Sequence, residues 1–130
     1  MDTATAIFIP KDGDPAQSLA GQFNFTQTTP TKVHVSGQLT SGMPNKDIKL
    51  YRFWIVSDIL GMIFYELTEG FIKSNEIEGW SINDNGGTSI LQSDEDNKFS
   101  VKGTHGIVDL RLQISLDDNI IGSAQIKEEA

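Results

Sequence analysis

The sequence predicts an all-β sandwich, on three observations. Apolar residues recur with a period of two through most of the chain. No long segment carries a sustained apolar stripe at helical spacing, and Gly, Pro, Asn and Asp cluster where the alternation breaks. The chain has 130 residues, 38% hydrophobic and 22% charged, a size that suits one domain over residues 1–130 with one modest core.

The elements follow in order. Thr3 to Ile9 is the first extended run, and Lys11-Asp12-Gly13-Asp14-Pro15 supplies a turn. Leu19, Gly21, Phe23 and Phe25 alternate with polar neighbours, so the second strand points its phenylalanines inward. Thr31 to Leu39 repeats the pattern, with Val33, Val35 and Leu39 on one face and Lys32, His34 and Ser36 on the other. Ile48 to Val56 is the densest apolar stretch and needs cover on both faces, which predicts a central strand. The region from Ser57 to Asn97 is too long for a structureless loop unless it is functional or partly ordered. Within it, Ile59 to Tyr65 reads as a short strand or one or two helical turns, with the strand preferred, and Ser93-Asp94-Glu95-Asp96-Asn97 as a solvated acidic run. Lys98 to Lys102 and Ile107 to Ser115 flank Gly103-Thr104-His105-Gly106 as a hairpin, and Ile120 to Lys127 is a final strand.

Composition removes several classes of chemistry. With no cysteine there is no disulfide framework, no thiolate nucleophile, no iron–sulfur cluster and no zinc site built on sulfur. His34 and His105 are the only histidines, so a centre of three imidazoles cannot be assembled within one chain. Eighteen acidic against ten basic residues leave a formal charge of -8, which opposes non-specific attraction to nucleic acid or to an anionic membrane. The N-terminus has no basic start or apolar run of signal-peptide length, and nowhere do about 18 apolar residues follow one another. The expectation is a soluble protein with no membrane span, either cytoplasmic or secreted after removal of a leader.

The order of residues resembles the copper/zinc superoxide dismutases. Ala6-Ile7-Phe8-Ile9 with Asp12-Gly13 and Pro15, then Gly21-Gln22-Phe23-Asn24-Phe25-Thr26-Gln27, is similar to the family's opening hairpin. Lys32 to Leu39 with Gly42 resembles its third strand and the following turn. Ile114-Ser115-Leu116-Asp117-Asp118-Asn119-Ile120-Ile121-Gly122 is similar to its Ile-Ser-Leu to Ile-Ile-Gly segment. The resemblance implies a Greek-key, immunoglobulin-like β-sandwich or flattened barrel of about 7–8 antiparallel strands with one long loop. It also implies where the family's chemistry should lie. The paired copper histidines fall on Trp54 and Val56, and the last copper histidine falls on Glu128. The zinc loop should hold three histidines and an aspartate, but Ser57 to Asn97 contains no histidine; Asp94 or Asp96 corresponds to the aspartate. The family continues beyond this chain through a loop, a catalytic arginine and an eighth strand, so an uncovered edge is expected here. Ile59–Tyr65, a second copy or a partner's strand could fill it.

Other candidates are weighed against ordinary roles. His34 on a polar strand face and His105 in a turn read as solvated histidines, and Asp94, Glu95 and Asp96 could at most hold a weakly bound cation such as calcium. Asn24-Phe25-Thr26 is a glycosylation sequon with Asn24 on the outward face, relevant only if the protein is secreted. Ile59, Leu60, Met62, Ile63, Phe64 and Tyr65 lie where the family keeps polar zinc ligands. They either fill the vacated space or form a patch or added strand for a protein partner, with Trp80 stacking near them or anchoring a ligand.

The expectation is a non-catalytic superoxide-dismutase-like module without copper, zinc or another cofactor, acting by protein binding as a binding, decoy or structural unit. By analogy with metal-less relatives, the partner could be a dismutase or its copper chaperone, or a second copy. Two alternatives are a divergent dismutase with metal on Glu128, Asp96 and one histidine, or completed by a second chain, and a secreted coat or matrix subunit.

Overall fold

A computed structural model describes residues 2–14, 17–57, 62–68, 71, 81–103 and 106–129. Eight strands carry the fold: β1 (Thr3–Phe8), β2 (Ala20–Thr29), β3 (Lys32–Ser41), β4 (Tyr51–Val56), β5 (Ile63–Glu66), β6 (Leu91–Asp96), β7 (Arg111–Leu116) and β8 (Asn119–Glu128). They form one antiparallel sheet in the order β5-β4-β7-β8-β1-β2-β3-β6. The sheet curls so that its halves face each other. Phe23 of β2 and Phe53 of β4, far apart in strand order, bring their ring centres within 6.2 Å.

Alternation explains most of this. Phe23, Phe25, Val33, Val35, Leu39, Leu112 and Ile114 are fully buried, as the period of two predicts. Gly37 lies opposite Phe23 on β3, and a Cβ there would stand 2.3 Å from the ring, so the glycine makes room for the central aromatic. Gly42 after β3 has φ +104° and a place 2.0 Å from the Ser18 carbonyl oxygen for any Cβ, so a side chain is excluded by both conformation and space. The densest apolar run divides into a short 3-10 turn at Ile48–Leu50 and β4, which lies between β5 and β7 as an interior strand. At its start the buried Tyr51 hydroxyl donates to the Asn45 carbonyl at 2.5 Å and accepts from the Asn45 amide at 2.9 Å.

Three expectations are corrected. The uncovered edge left by a missing eighth strand does not exist, because β8 lies between β7 and β1 and pairs with both. Of the segment read as a possible substitute, Ile63 to Tyr65 belong to β5, which pairs with β4 at the far end of the sheet. The acidic run is a strand and only half solvated, with Asp94 and Asp96 exposed. Ser93, Asp94, Glu95 and Asp96 belong to β6, with Ser93 and Glu95 turned inward against Val35 and Val33. Lys98 to Lys102 is not a hairpin arm either. Ser100 and Gly106 make an isolated parallel bridge, and the Val101 amide donates to the Gln27 side-chain oxygen at 2.9 Å instead of to a strand. That side chain satisfies the backbone without a ladder.

Part of the long loop also enters the core. After β5 the Leu67 amide donates to the Phe53 carbonyl at 2.8 Å, and Leu67 and Phe71 are fully buried. The Phe71 ring lies 5.0 Å from Phe53 and 5.9 Å from Phe23.

Candidate functional site

The positions that match the family's copper ligands do not form a ligand set. Strand register places Trp54 beside Gln113 and Ser123, and Val56 beside Arg111 and Gln125, all on the outward face. The inward face of the same strands carries Phe53, Ile55, Leu112, Ile114 and Ala124. An indole and an isopropyl group offer no lone pair to a cation. The Trp54 indole N–H instead donates to the Ser115 hydroxyl at 3.3 Å, and Val56 is buried. Glu128 stands two strands over and three residues beyond Gln125, roughly 14 Å from Val56 by strand spacing and rise. It also has the opposite parity, sharing a strand face with buried Ala124 and Ile126. Its carboxylate meets Lys102 at 2.5 Å, and that bond holds the lysine protonated to higher pH than usual. The residues present do not fit a copper ion.

Zinc fares no better. His34 and Asp94 face each other across β3 and β6 with Nδ1 and Oδ1 2.8 Å apart. Asp96 is outward and exposed on the same strand, and alternation sends Glu95 to the other side of the sheet. The three consecutive carboxylates therefore cannot converge on one cation, calcium included. Glu95 accepts from the Ser93 hydroxyl at 2.5 Å and pairs with Lys98 at 3.2 Å while only 3% exposed. Among the described residues no group of three or more His, Asp or Glu side chains could hold a metal. His105 lies outside the described residues.

The apolar segment gives a different result. Ile59, Leu60 and Trp80 lie outside the described residues. Met62, Ile63 and Phe64 are 54%, 55% and 47% exposed, whereas Tyr65 is half-buried and packs on Phe99 with ring centres 4.9 Å apart and planes tilted by 48°. Val56 pairs with Ile63 and Ile55 with Tyr65, so Phe64 is the extra residue of a β-bulge. A bulge turns its side chain out of the pleat, which accounts for the exposure of a phenylalanine on a short terminal strand. Phe64, Tyr65, Glu66 and Lys98 line a shallow groove there of about 380 Å³, and Glu66 is paired with Arg52 at 3.1 Å.

Sequence reasoning missed a second apolar face. Ile7, Ile9 and Ile90 are 56%, 73% and 54% exposed on the outer side of the β1–β2–β3–β6 half. The signal was present in Ala4-Thr5-Ala6-Ile7-Phe8-Ile9, where Ala4, Ala6 and Phe8 alone satisfy the inward face and leave both isoleucines outside. Asn24 is exposed on this same face, beside Thr5 and Ser36.

Strand number, antiparallel order and the packing of the two halves define a β-sandwich of the copper/zinc superoxide dismutase type. No family model matches the chain, and no curated protein does. Among solved structures, Candida albicans superoxide dismutase 5, in a single-substitution form, is similar over 98% of this chain and 92% of its own, with 16% identity and a TM-score of 0.61. The clock protein EA4 is similar over 96% of this chain and 93% of its own, with 18% identity and a TM-score of 0.62. At that identity the likeness is one of fold. Among the described residues no helix is long and apolar enough to cross a membrane.

Proposed function

We propose that the protein is a non-catalytic superoxide-dismutase-like module that binds another protein through Met62, Ile63 and Phe64 and works without copper or zinc. The observation that carries this reading is the exposure of three successive large apolar side chains, Met62 just before a bulged terminal strand and Ile63 and Phe64 on it. Contiguous apolar surface on a small domain favours association. The bulge and the four-residue length of β5 make it a poor template for a further strand, so the contact is through side chains and not by strand addition. The replacement of paired imidazoles by Trp54 and Val56, with Glu128 on another face, supports the absence of a metal-dependent reaction.

The test is capture of partners from the native source with wild type and Phe64→Asp, with a copper/zinc dismutase and its copper chaperone as purified candidates. Wild type should retain a partner that Phe64→Asp releases. Identical partners and identical oligomer size for both would contradict the proposal.

A further inference from the structure

The outer face of the β1–β2–β3 half carries features that the β5 patch does not explain. In one row across the strands stand Thr5, Asn24, Ser36 and Gln92; in the next stand Ile7, Gln22 and Gln38. Ile7, Gln22, Asn24, Gln38 and Ile90 border one groove of about 520 Å³. Ile7, more than half exposed, is a diagonal neighbour of Asn24 on the adjacent strand, about 7–8 Å away. Ile90, equally exposed and just before β6, lies two strands over, roughly 12 Å from Asn24 by strand spacing and rise, a span of more than one sugar ring.

Asn24 is oriented on this face. Its Oδ1 accepts from Gln22 Nε2 at 3.0 Å, while the single Thr5 hydroxyl proton goes to the Glu129 carboxylate, the shorter of its two contacts. Thr26, two residues on, shares the outward parity and completes the Asn-Phe-Thr acceptor sequence.

We propose that Asn24 carries an N-linked glycan, and that its first sugars lie along the groove and cover Ile7 and Ile90. In the transfer, Asn24 Nδ2 forms a bond to C1 of the first sugar of a polyprenyl-diphosphate-linked oligosaccharide. The bond from C1 to the phosphate oxygen breaks, the diphosphate carrier leaves, and the displaced amide proton goes to a base of the transferase. The reaction uses the extended chain before folding. The folded structure accepts the product because Asn24 points outward, and the C–H faces of pyranose rings suit isoleucine side chains. The proposal places the protein in the secretory pathway and is independent of the β5 patch, which lies on the other half of the sheet.

The experiment expresses the full chain behind a cleavable leader in secreting eukaryotic cells, beside Thr26→Ala, which keeps Asn24 and its hydrogen bonds but removes the acceptor signal. Intact mass before and after a peptide N-glycosidase reads the modification, and hydroxyl-radical footprinting reads Ile7 and Ile90. Wild type should carry a mass excess that the glycosidase removes, with Asn24 converted to Asp. Its labelling at Ile7 and Ile90 should fall severalfold below that of Thr26→Ala. The proposal is overturned by a bare Asn24 in the secreted chain, by equal labelling in the two proteins, or by protein from its native source with the mass of the polypeptide alone.

Discussion

The two ends of the sheet, β5 and β6, meet the same hazard in opposite ways. A terminal strand offers backbone groups to any passing chain. β6 answers with charge: Asp94 and Asp96 point outward, Glu95 points inward, and His34 ties the strand to β3. β5 answers with shape, being four residues long and bulged at Phe64. Charge repels most partners alike, whereas a bulge prevents strand addition but leaves the side chains free to be recognised. The contrast separates a charged edge from an apolar one, which the proposed contact would use.

Behind each edge stands a different anchor, and the largest effect should come from the apolar one. Phe71→Ala removes a ring that packs on Phe53 and Phe23 below the β5 side, and should cost about 3–5 kcal/mol in urea unfolding. A loss under about 1 kcal/mol would mean that the segment after β5 does not support the core. On the β6 side, Glu95→Val replaces a buried, paired carboxylate. It should cost about 1–3 kcal/mol, since the buried Ser93 hydroxyl loses its acceptor, whereas Lys98 is half exposed and can turn to water. The same substitution should raise self-association in sedimentation, because the inward charge is gone from the edge. A variant that stays monomeric at high concentration would remove the protective role given to Glu95. The smallest effect belongs to His34→Ala. Its cross-strand partner Asp94 is well exposed, so the loss should stay below about 1 kcal/mol by thermal unfolding. A larger loss would make the pair a structural clamp.

The same contrast explains what could be read in advance. Where strands obey apolar alternation, as at Phe23 and Phe25 or Leu112 and Ile114, the sequence discloses both the strand and its inward face. β6 escapes that reading because its inward positions after Leu91 are Ser93 and Glu95, buried by pairing and not by hydropathy. Ile7 and Ile9 were legible as strand residues but not as exposed ones, since a strand apolar on both faces reads as covered on both. The face of Glu128 depends on register, which shifts between Ile114 and Ser115 and cannot be counted from the sequence. The exposure of Phe64 depends likewise on a bulge set by its pairing with β4.

The central proposal is that this sandwich of the dismutase type works without copper or zinc. Loading the intact protein with copper and zinc, dialysing against a chelator and measuring bound metal per chain tests it most directly. The account predicts far less than one ion per chain and superoxide removal no faster than that of bovine albumin treated in the same way. One tightly held copper per chain, together with removal of superoxide above that background, would contradict it.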